Sequence, residues 1–200
     1  MNNNLDNIIN PKNAMTAQYS SFIEDRFSNP NSAFYNDGRY YARFRYGSFQ
    51  SSGTITIAMW LKLFDFTASQ IIFSSSTYNS NLKIHYTDTG KIAVTDSASD
   101  GSIDSTTPID SDKWYHIAFT VTGKEAKFYV NGSLTSSETW TNALAPKNGD
   151  YNYLAKVYGD YSYRYSKLAF SDLMLFNKAL SSDEINGIKD LSKDTYTILN

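Results

Sequence analysis

One stretch of the chain, YGDYSYRYSK at residues 158–167, is dense in tyrosine and also carries a carboxylate and a guanidinium group. Tyrosine rings give a large contact area at low conformational cost, and their hydroxyl groups suit a polar partner. The stretch therefore predicts either a surface that stacks on sugars or binds another protein, or a flank of the fold's own core. Its candidate ligand-binding residues are Tyr158, Asp160, Tyr161, Tyr163 and Arg164.

The position of this stretch favours binding. It connects two predicted strands at one end of the domain, and binding residues concentrate in such connections. Tyr163 and Tyr165 come just before the second strand, where their rings can cover the edge of the fold. Tyr158 and Tyr161 are predicted to remain available for a glycan or another protein chain.

Three aspartates spaced four residues apart, Asp96, Asp100 and Asp104, are the candidate metal ligands. Calcium takes about six to eight oxygen ligands, so several carboxylates in one loop are a reason to consider it. Their spacing differs from a D-x-D-x-D-G calcium loop. The residues alone therefore leave two interpretations open, a calcium site and a solvated turn.

Catalytic chemistry has little support in the sequence. A glycosidase needs two carboxylates about 5–9 Å apart, which on one strand means acids at i and i+2 or i+4. His85 and His116 fall on different predicted strands, and no cysteine is present to act as a nucleophile. We therefore predict that the protein is not an enzyme. No acid pair with the required spacing occurs within a predicted strand among the glutamates, Glu24, Glu125, Glu138 and Glu184.

Short alternating segments predict the strands that position these residues. In TITIAMWLKLF, the aliphatic residues at odd positions from Ile55 to Leu63 share one face. Trp60 and Trp114 lie on the opposite faces of their strands beside alanines, where a sugar platform is one interpretation and a second packed layer is the favoured one. Strands are predicted over 54–64, 70–76, 81–87, 91–96, 114–121, 126–132, 152–157 and 168–176, with a polar loop over 97–111.

A short helix near residues 182–190 is predicted by a capping box, in which Ser181 is the N-cap and Glu184 follows three residues later. The chain has 200 residues, which suits one β domain, and residues 1–20 are predicted to form an Asn-rich arm or edge strand before a domain over 21–200. The net charge of −2 argues against a nucleic acid partner. No apolar run is long enough to span a membrane, and no signal peptide is evident at the start of the chain.

Four segments of the chain resemble the laminin G-like, concanavalin A-like jelly-roll domains: DRFSNPNSAFYNDG, TITIAMWLK, DKWYHIAFTVTGKEAKFYVNG and LAFSDLMLFNKALSSDEI. The W-x-H segment followed by the YVNG hairpin is the most specific of them. The resemblance covers roughly residues 22–190 and implies two curved antiparallel sheets, a structural calcium ion and extracellular binding. The paired aspartates usual before the last strand of the family appear here as Ser171-Asp172, with a single acid.

Together these observations predict an all-β, two-sheet antiparallel jelly-roll sandwich with one short C-terminal helix. The predicted function is non-catalytic recognition or adhesion, with glycans or a cell surface bound through end loops. The alternative is a structural or decoration module of a larger assembly, such as a bacteriophage or virus surface protein, and a chain without a signal peptide favours it slightly. Both place the protein outside the cell or on a surface.

Overall fold

The computed structural model describes residues 15–17, 21–45, 53–65, 70–77, 80–145, 151–156 and 166–191. Its elements form two antiparallel sheets of seven strands each, which confirms the predicted sandwich. The strands are β1 Thr16–Ala17, β2 Ser21–Ile23, β3 Ala33–Asp37, β4 Ala42–Phe44, β5 Thr54–Leu63, β6 Ile71–Thr77, β7 Ser80–Tyr86, β8 Ile92–Asp96, β9 Gly101–Asp104, β10 Trp114–Thr122, β11 Glu125–Val130, β12 Ser133–Thr139, β13 Asn152–Leu154 and β14 Lys167–Phe176.

Each of the two sheets pairs strands that are distant from one another in the chain. Sheet A has the order β1-β4-β13-β6-β7-β8-β9, so the short strand β13 enters between β4 and β6 from much later in the sequence. Sheet B has the order β12-β11-β10-β5-β14-β3-β2. Such crossovers between sheets are expected of a jelly roll.

The core lies between the sheets and is built from the predicted alternation. In β5 the inward side chains are at most 1% exposed, namely Ile55, Ile57, Met59, Leu61 and Leu63. In β10, Ile117, Phe119 and Val121 face the same core. Period-two patterning therefore fixes which face of each long strand is buried.

The hairpin between β11 and β12 turns on Asn131 and Gly132, whose φ angles are 52° and 82°. Two left-handed residues match the twist of a two-residue hairpin, which explains the Asn-Gly pair. The Asn131 side chain also accepts a 2.9 Å hydrogen bond from the backbone N–H of His116. A Cβ at Gly132 would lie 2.0 Å from Oδ1 of Asn186 in the following helix, so glycine is required there.

The helix α1, Ser182–Lys189, is confirmed together with its capping box. The hydroxyl of Ser181 accepts a 3.3 Å hydrogen bond from the N–H of Glu184, and the Glu184 carboxylate accepts from the N–H of Ser181 at 2.8 Å. Ile185 is completely buried against the outer face of sheet B. The described part of the chain has no helix long and apolar enough to cross a membrane.

Some predicted boundaries were wrong. The polar loop predicted over 97–111 contains strand β9, which pairs with β8. The strand was missed because Ile103 is its single large apolar side chain, which gives too weak a pattern. The strand predicted over 152–157 ends at Leu154, because Ala155 has a φ angle of 64°. The exposed edge strand β12 was not predicted, since SLTSSET carries one leucine and no alternation.

Candidate functional site

The candidate site lies on the outer face of sheet A, where β4 and β13 are neighbours. Ala42 and Phe44 of β4 point into the core, so Arg43 between them points outward. Leu154 is likewise in the core, and Tyr153 is therefore on the outer face. Arg43 and Tyr153 are direct partners in the strand register. The folding of two short strands thus brings a cation and an aromatic ring side by side.

Five residues at this place form what we call the tyrosine–arginine cluster: Tyr41, Arg43, Arg45, Tyr151 and Tyr153. The Tyr153 ring centroid lies 5.7 Å from that of Tyr41 and 6.3 Å from that of Tyr151. The guanidinium carbons of Arg43 and Arg45 lie 4.5 Å and 4.9 Å from the Tyr151 centroid. Tyr153 is buried, whereas Tyr41, Arg43 and Tyr151 are half-buried and Arg45 is exposed, so the cluster reaches solvent.

The charge around the cluster is positive. Lys156 places its Nζ 4.4 Å from the Tyr41 ring centroid. Across the sheet, the register runs from Arg43 through Tyr153 and Ser74 to Lys83, so a second cation lies on the same outward row. Within the described ranges, no carboxylate forms an ion pair with Arg43 or Arg45. This part of the face is therefore cationic although the whole chain is slightly acidic.

His85 lies further along the outer face of sheet A, opposite Ala93 in the register. Burial, followed by the nearby Lys83 ammonium, lowers the pKa of His85 below its usual value. The imidazole is therefore neutral at physiological pH and adds no charge to the row.

The predicted binding residues Tyr158, Asp160, Tyr161, Tyr163 and Arg164 lie outside the described residues. They follow Lys156 directly in the chain, and their role stays a prediction. The cluster itself was not predicted. Its signal is present in YARFR (41–45), where an aromatic residue and two arginines alternate with buried Ala42 and Phe44. The strand β4 has three residues, which is too short for its alternation to be recognised in the sequence.

The three candidate metal ligands have separate roles in the structure. Asp96 is buried and accepts a 3.0 Å hydrogen bond from the N–H of Ser99. Asp100 is exposed, with a φ angle of 48°, and Asp104 pairs with Nζ of Lys91 at 3.3 Å. Among described residues, no three histidine, cysteine, aspartate or glutamate side chains lie close enough together to hold a metal ion. The calcium prediction therefore rests on the family resemblance.

The outer face of sheet B is covered by a packed layer. The sequence favoured this interpretation for the surroundings of Trp60 and Trp114. Ala58 and Ala118 are each 1% exposed and pack with Tyr129 beneath Leu180 and Ile185. The small side chains of β5 and β10 let the segment before α1, and the helix itself, lie close to the sheet. The layer therefore covers the sheet at Ala58 and Ala118, which lie beside Trp60 and Trp114.

Beside this layer, Arg26 is held by two aromatic rings, a carboxylate and a backbone carbonyl, while its Nε is buried without a hydrogen-bond partner among described residues. Its guanidinium carbon lies 4.2 Å from the Phe27 ring centroid and 4.7 Å from that of Trp60. The guanidinium forms a buried ion pair with Asp172 and donates to the carbonyl of Leu191 at 3.0 Å. Asp172 has a φ angle of 52° at the β-bulge of β14, which turns its carboxylate toward Arg26. The single family aspartate is therefore used here in an ion pair.

His116 completes this region, with its ring centroid 5.5 Å from that of Trp60. Burial, helped by the Arg26 charge, lowers the pKa of His116 to about 4. The imidazole is therefore neutral at physiological pH, and its Nδ1 is buried without a hydrogen-bond partner among described residues. A neutral, enclosed imidazole beside a fixed arginine is suited to a packing role.

The glutamates do not form a catalytic pair on the strands that carry them. Glu125 is opposite Thr139, and Glu138 is opposite Ala126, in the β11–β12 register. Since successive residues alternate between faces, Glu125 and Glu138 lie on opposite faces of sheet B. Glu184 caps α1 and also pairs with Lys178.

Two seven-stranded antiparallel sheets packed face to face, with crossovers between them, define a lectin-like jelly roll. The sequence matches the family model Laminin_G_3 of the concanavalin A-like lectin/glucanases superfamily over residues 36–186, and the chain belongs to this family. No curated protein matches the chain in sequence.

Solved structures agree with this fold at low sequence identity. The binding domain of Paraclostridial Mosquitocidal Protein 1 is 14% identical with a TM-score of 0.75, over 95% of this chain and 50% of that one. Botulinum neurotoxin type C, which enters cells in a manner that depends on interaction with two ganglioside molecules, is 15% identical with a TM-score of 0.65, over 88% and 46%. The native heptameric SAP-like pentraxin of Limulus polyphemus is 16% identical with a TM-score of 0.60, over 86% and 81%.

The chain spans about half the length of the toxin structures that it matches. At these identities the likeness shows the fold alone.

Proposed function

We propose that this chain is a non-catalytic recognition domain that binds glycans on a cell surface. The tyrosine–arginine cluster carries the proposal, because partly exposed tyrosine rings beside guanidinium groups match a ligand that has both apolar ring faces and hydroxyl groups. The family and the toxin binding domains of the same fold support it. A domain with this role acts outside the cell or on the surface of a cell or virion.

In the proposed mechanism, Arg43 and Arg45 donate hydrogen bonds to the sugar from their position over the Tyr151 ring. The parts of Tyr151 and Tyr41 that remain exposed supply the apolar contact. Tyr153 lies between the two rings and supports them from beneath. The tyrosines predicted from the sequence, Tyr158 and Tyr161, belong to the same proposal because they follow this strand directly in the chain.

The test is a glycan array probed with the unaltered domain and with Tyr151→Ala. Loss of a stacking anchor should cost about 2 kcal/mol of binding, some thirtyfold in affinity. Leu134→Ala is the matched control, because Leu134 is 50% exposed on the edge strand of sheet B. Equal binding by Tyr151→Ala and the unaltered domain, with unchanged melting curves, would contradict the assignment of the site.

A second variant, Tyr158→Ala with Tyr161→Ala, tests the segment predicted from the sequence. We expect weakened glycan binding and a melting temperature that changes little, since exposed substitutions alter stability by about 0.5 kcal/mol or less. A fall of about 10 °C would mean that these rings are structural.

The assembly alternative makes a different prediction. A decoration module should associate with its own copies or with a larger particle and should ignore free glycans. Sedimentation velocity across a range of protein concentrations, run beside the array, separates the two functions. Concentration-dependent association that Tyr151→Ala abolishes, without any glycan binding, would favour the assembly role.

We further propose that the domain does not hydrolyse its ligand, because Glu125 and Glu138 lie on opposite faces of sheet B. Reducing-end assays over the bound glycans test this. Turnover that disappears on mutation of any one of the four glutamates would show a hydrolase.

A further inference from the structure

The tyrosine–arginine cluster holds more positive charge than a neutral sugar needs. Arg43 and Arg45 lie against the same Tyr151 ring, 4.5 Å and 4.9 Å from its centroid. Both are cations at any physiological pH, and they repel each other. Their stacking on one ring offsets part of this repulsion, since the face of an aromatic ring attracts cations.

Neither arginine has an ion-pair partner in the described part of the chain, where the salt bridges use other cations. The outward neighbours of Arg43 in the sheet register are Thr16 and Tyr153, and both are uncharged. The next residues on that row are Ser74 and Lys83. The Ser74 hydroxyl is buried and donates to the carbonyl of Lys156, so the charged groups that the row offers are the cations.

We infer that the ligand of this site is an acidic glycan, whose carboxylate or sulfate groups are bound by Arg43 and Arg45. This inference rests on the proposed function and specifies its ligand class. A guanidinium group presents a planar set of donors that matches a carboxylate or sulfate in a bidentate pair. The Tyr151 ring, over which both guanidinium groups lie, holds them in position for the anion.

Lys83 extends the site along the sheet. Three strand spacings separate it from Arg43, which is about 14 Å at roughly 4.8 Å per strand. A glycan with acidic groups on more than one sugar therefore reaches both cations. Lys83 should contribute less than the arginines, because no aromatic ring among the described residues holds its ammonium group in place.

The experiment measures binding of the whole chain to three polysaccharides: heparin, which is sulfated; hyaluronan, which carries carboxylates alone; and dextran, which is neutral. We expect binding to heparin, hyaluronan or both, and none to dextran. Binding to heparin alone would show that sulfate is required, and binding to hyaluronan would show that a carboxylate is sufficient. Binding should weaken strongly between 0.1 M and 1 M salt, because the Debye length falls from about 10 Å to about 3 Å.

The decisive variant is Arg43→Gln with Arg45→Gln, which should weaken binding to the acidic probe by about tenfold to a hundredfold. Lys127→Gln is the matched control, because Lys127 is an exposed cation on sheet B. The control should bind as the unaltered domain does. Binding should also persist in EDTA, since arginines and not a metal ion bind the anion.

The outcomes separate this inference from the proposed function. Equal binding to dextran and to both acidic probes, unaffected by the double variant, would overturn the acidic specificity and leave glycan recognition standing. Loss of binding in EDTA, with an unchanged melting curve, would also overturn it. Absence of binding to every glycan would overturn both. Equally tight, arginine-dependent binding to a single-stranded DNA oligonucleotide would show a general polyanion surface and would overturn the assignment to glycans.

Discussion

Two regions on opposite faces of the sandwich each place arginine against an aromatic ring, but they differ in whether a carboxylate neutralises the arginine. On the sheet B side, Arg26 lies between the rings of Phe27 and Trp60 and forms a buried ion pair with Asp172. On the sheet A side, Arg43 and Arg45 lie against Tyr151 without a carboxylate among described residues. The aromatic–arginine contact is common to both, and the carboxylate is the difference.

This difference distinguishes an arginine with a structural role from arginines that can bind a ligand. A buried arginine must be neutralised within the protein, because an uncompensated charge away from water is costly. A partly exposed arginine is stabilised by solvent and remains available to an anion from outside. The contact with an aromatic ring alone therefore does not identify a binding site. What distinguishes a binding site is whether the anionic group that neutralises the arginine belongs to the protein or must come from a ligand.

The largest expected effect comes from removing the internal counter-ion. Asp172→Asn leaves the Arg26 charge buried and unpaired, while asparagine tolerates the left-handed backbone at this position. Breaking a buried pair by removing one partner costs about 3–5 kcal/mol. Thermal melting should show a fall on the order of 10 °C for a domain of this size.

Arg43→Gln is the control on the other face, and its free energy of unfolding should change by about 0.5 kcal/mol or less. Equal destabilisation by the two variants would remove the distinction between the regions. Full stability of Asp172→Asn would show that Arg26 does not depend on the carboxylate.

A smaller effect is expected from pH. His116 has a folded pKa of about 4 against an ordinary value of 6.5. Between these two values the unfolded chain binds the proton that the folded protein does not, so stability is complete above pH 6.5 and falls as the pH drops to about 4. The loss contributed by His116 is about 3 kcal/mol. Chemical denaturation at pH 7 and at pH 4.5 measures it.

His116→Gln should be less stable at pH 7 but should lose less stability on acidification than the unaltered protein. The groups that influence His116 most are Arg26 and Lys189, and both are charged over this whole range. Identical pH profiles for the two proteins would assign the acid sensitivity to other residues.

The smallest of these effects concerns the helix that covers sheet B. Ser181→Ala removes the hydroxyl that accepts from the N–H of Glu184. Loss of such an N-cap costs about 1 kcal/mol, or a few degrees in melting temperature. Binding to the acidic glycan on sheet A should be unchanged, because the two faces are separated by the core. A binding defect in this variant would show that the faces are coupled.

The sequence was sufficient for the fold wherever a strand was long enough to show its alternation. β5 and β10 were readable because one face of each is aliphatic over many residues, and α1 because both partners of its capping box are local. β9 and β12 were not readable, since an edge strand with one large apolar side chain has no alternating pattern.

The tyrosine–arginine cluster shows why the site was harder to predict than the fold. YARFR has the alternation of a strand, but nothing local to it indicates that Tyr151 and Tyr153 will pair beside it. That pairing depends on the insertion of β13 between β4 and β6, which is a property of the whole topology. The calcium ligands and the binding role of the tyrosines after residue 157 stay predictions. For them too, the local sequence does not show which residues the topology brings together.

The position of β13 also sets an order of events during folding. Arg43 and Tyr153 are register partners although about 110 residues separate them in the chain, so their contact has a high loop-closure cost and belongs to the topology-limited part of folding. Until β13 has been synthesised, the nascent chain cannot form the complete tyrosine–arginine cluster. If the proposed site is correct, ligand binding reports finished folding, and a bound glycan that contacts both strands favours the closed sheet.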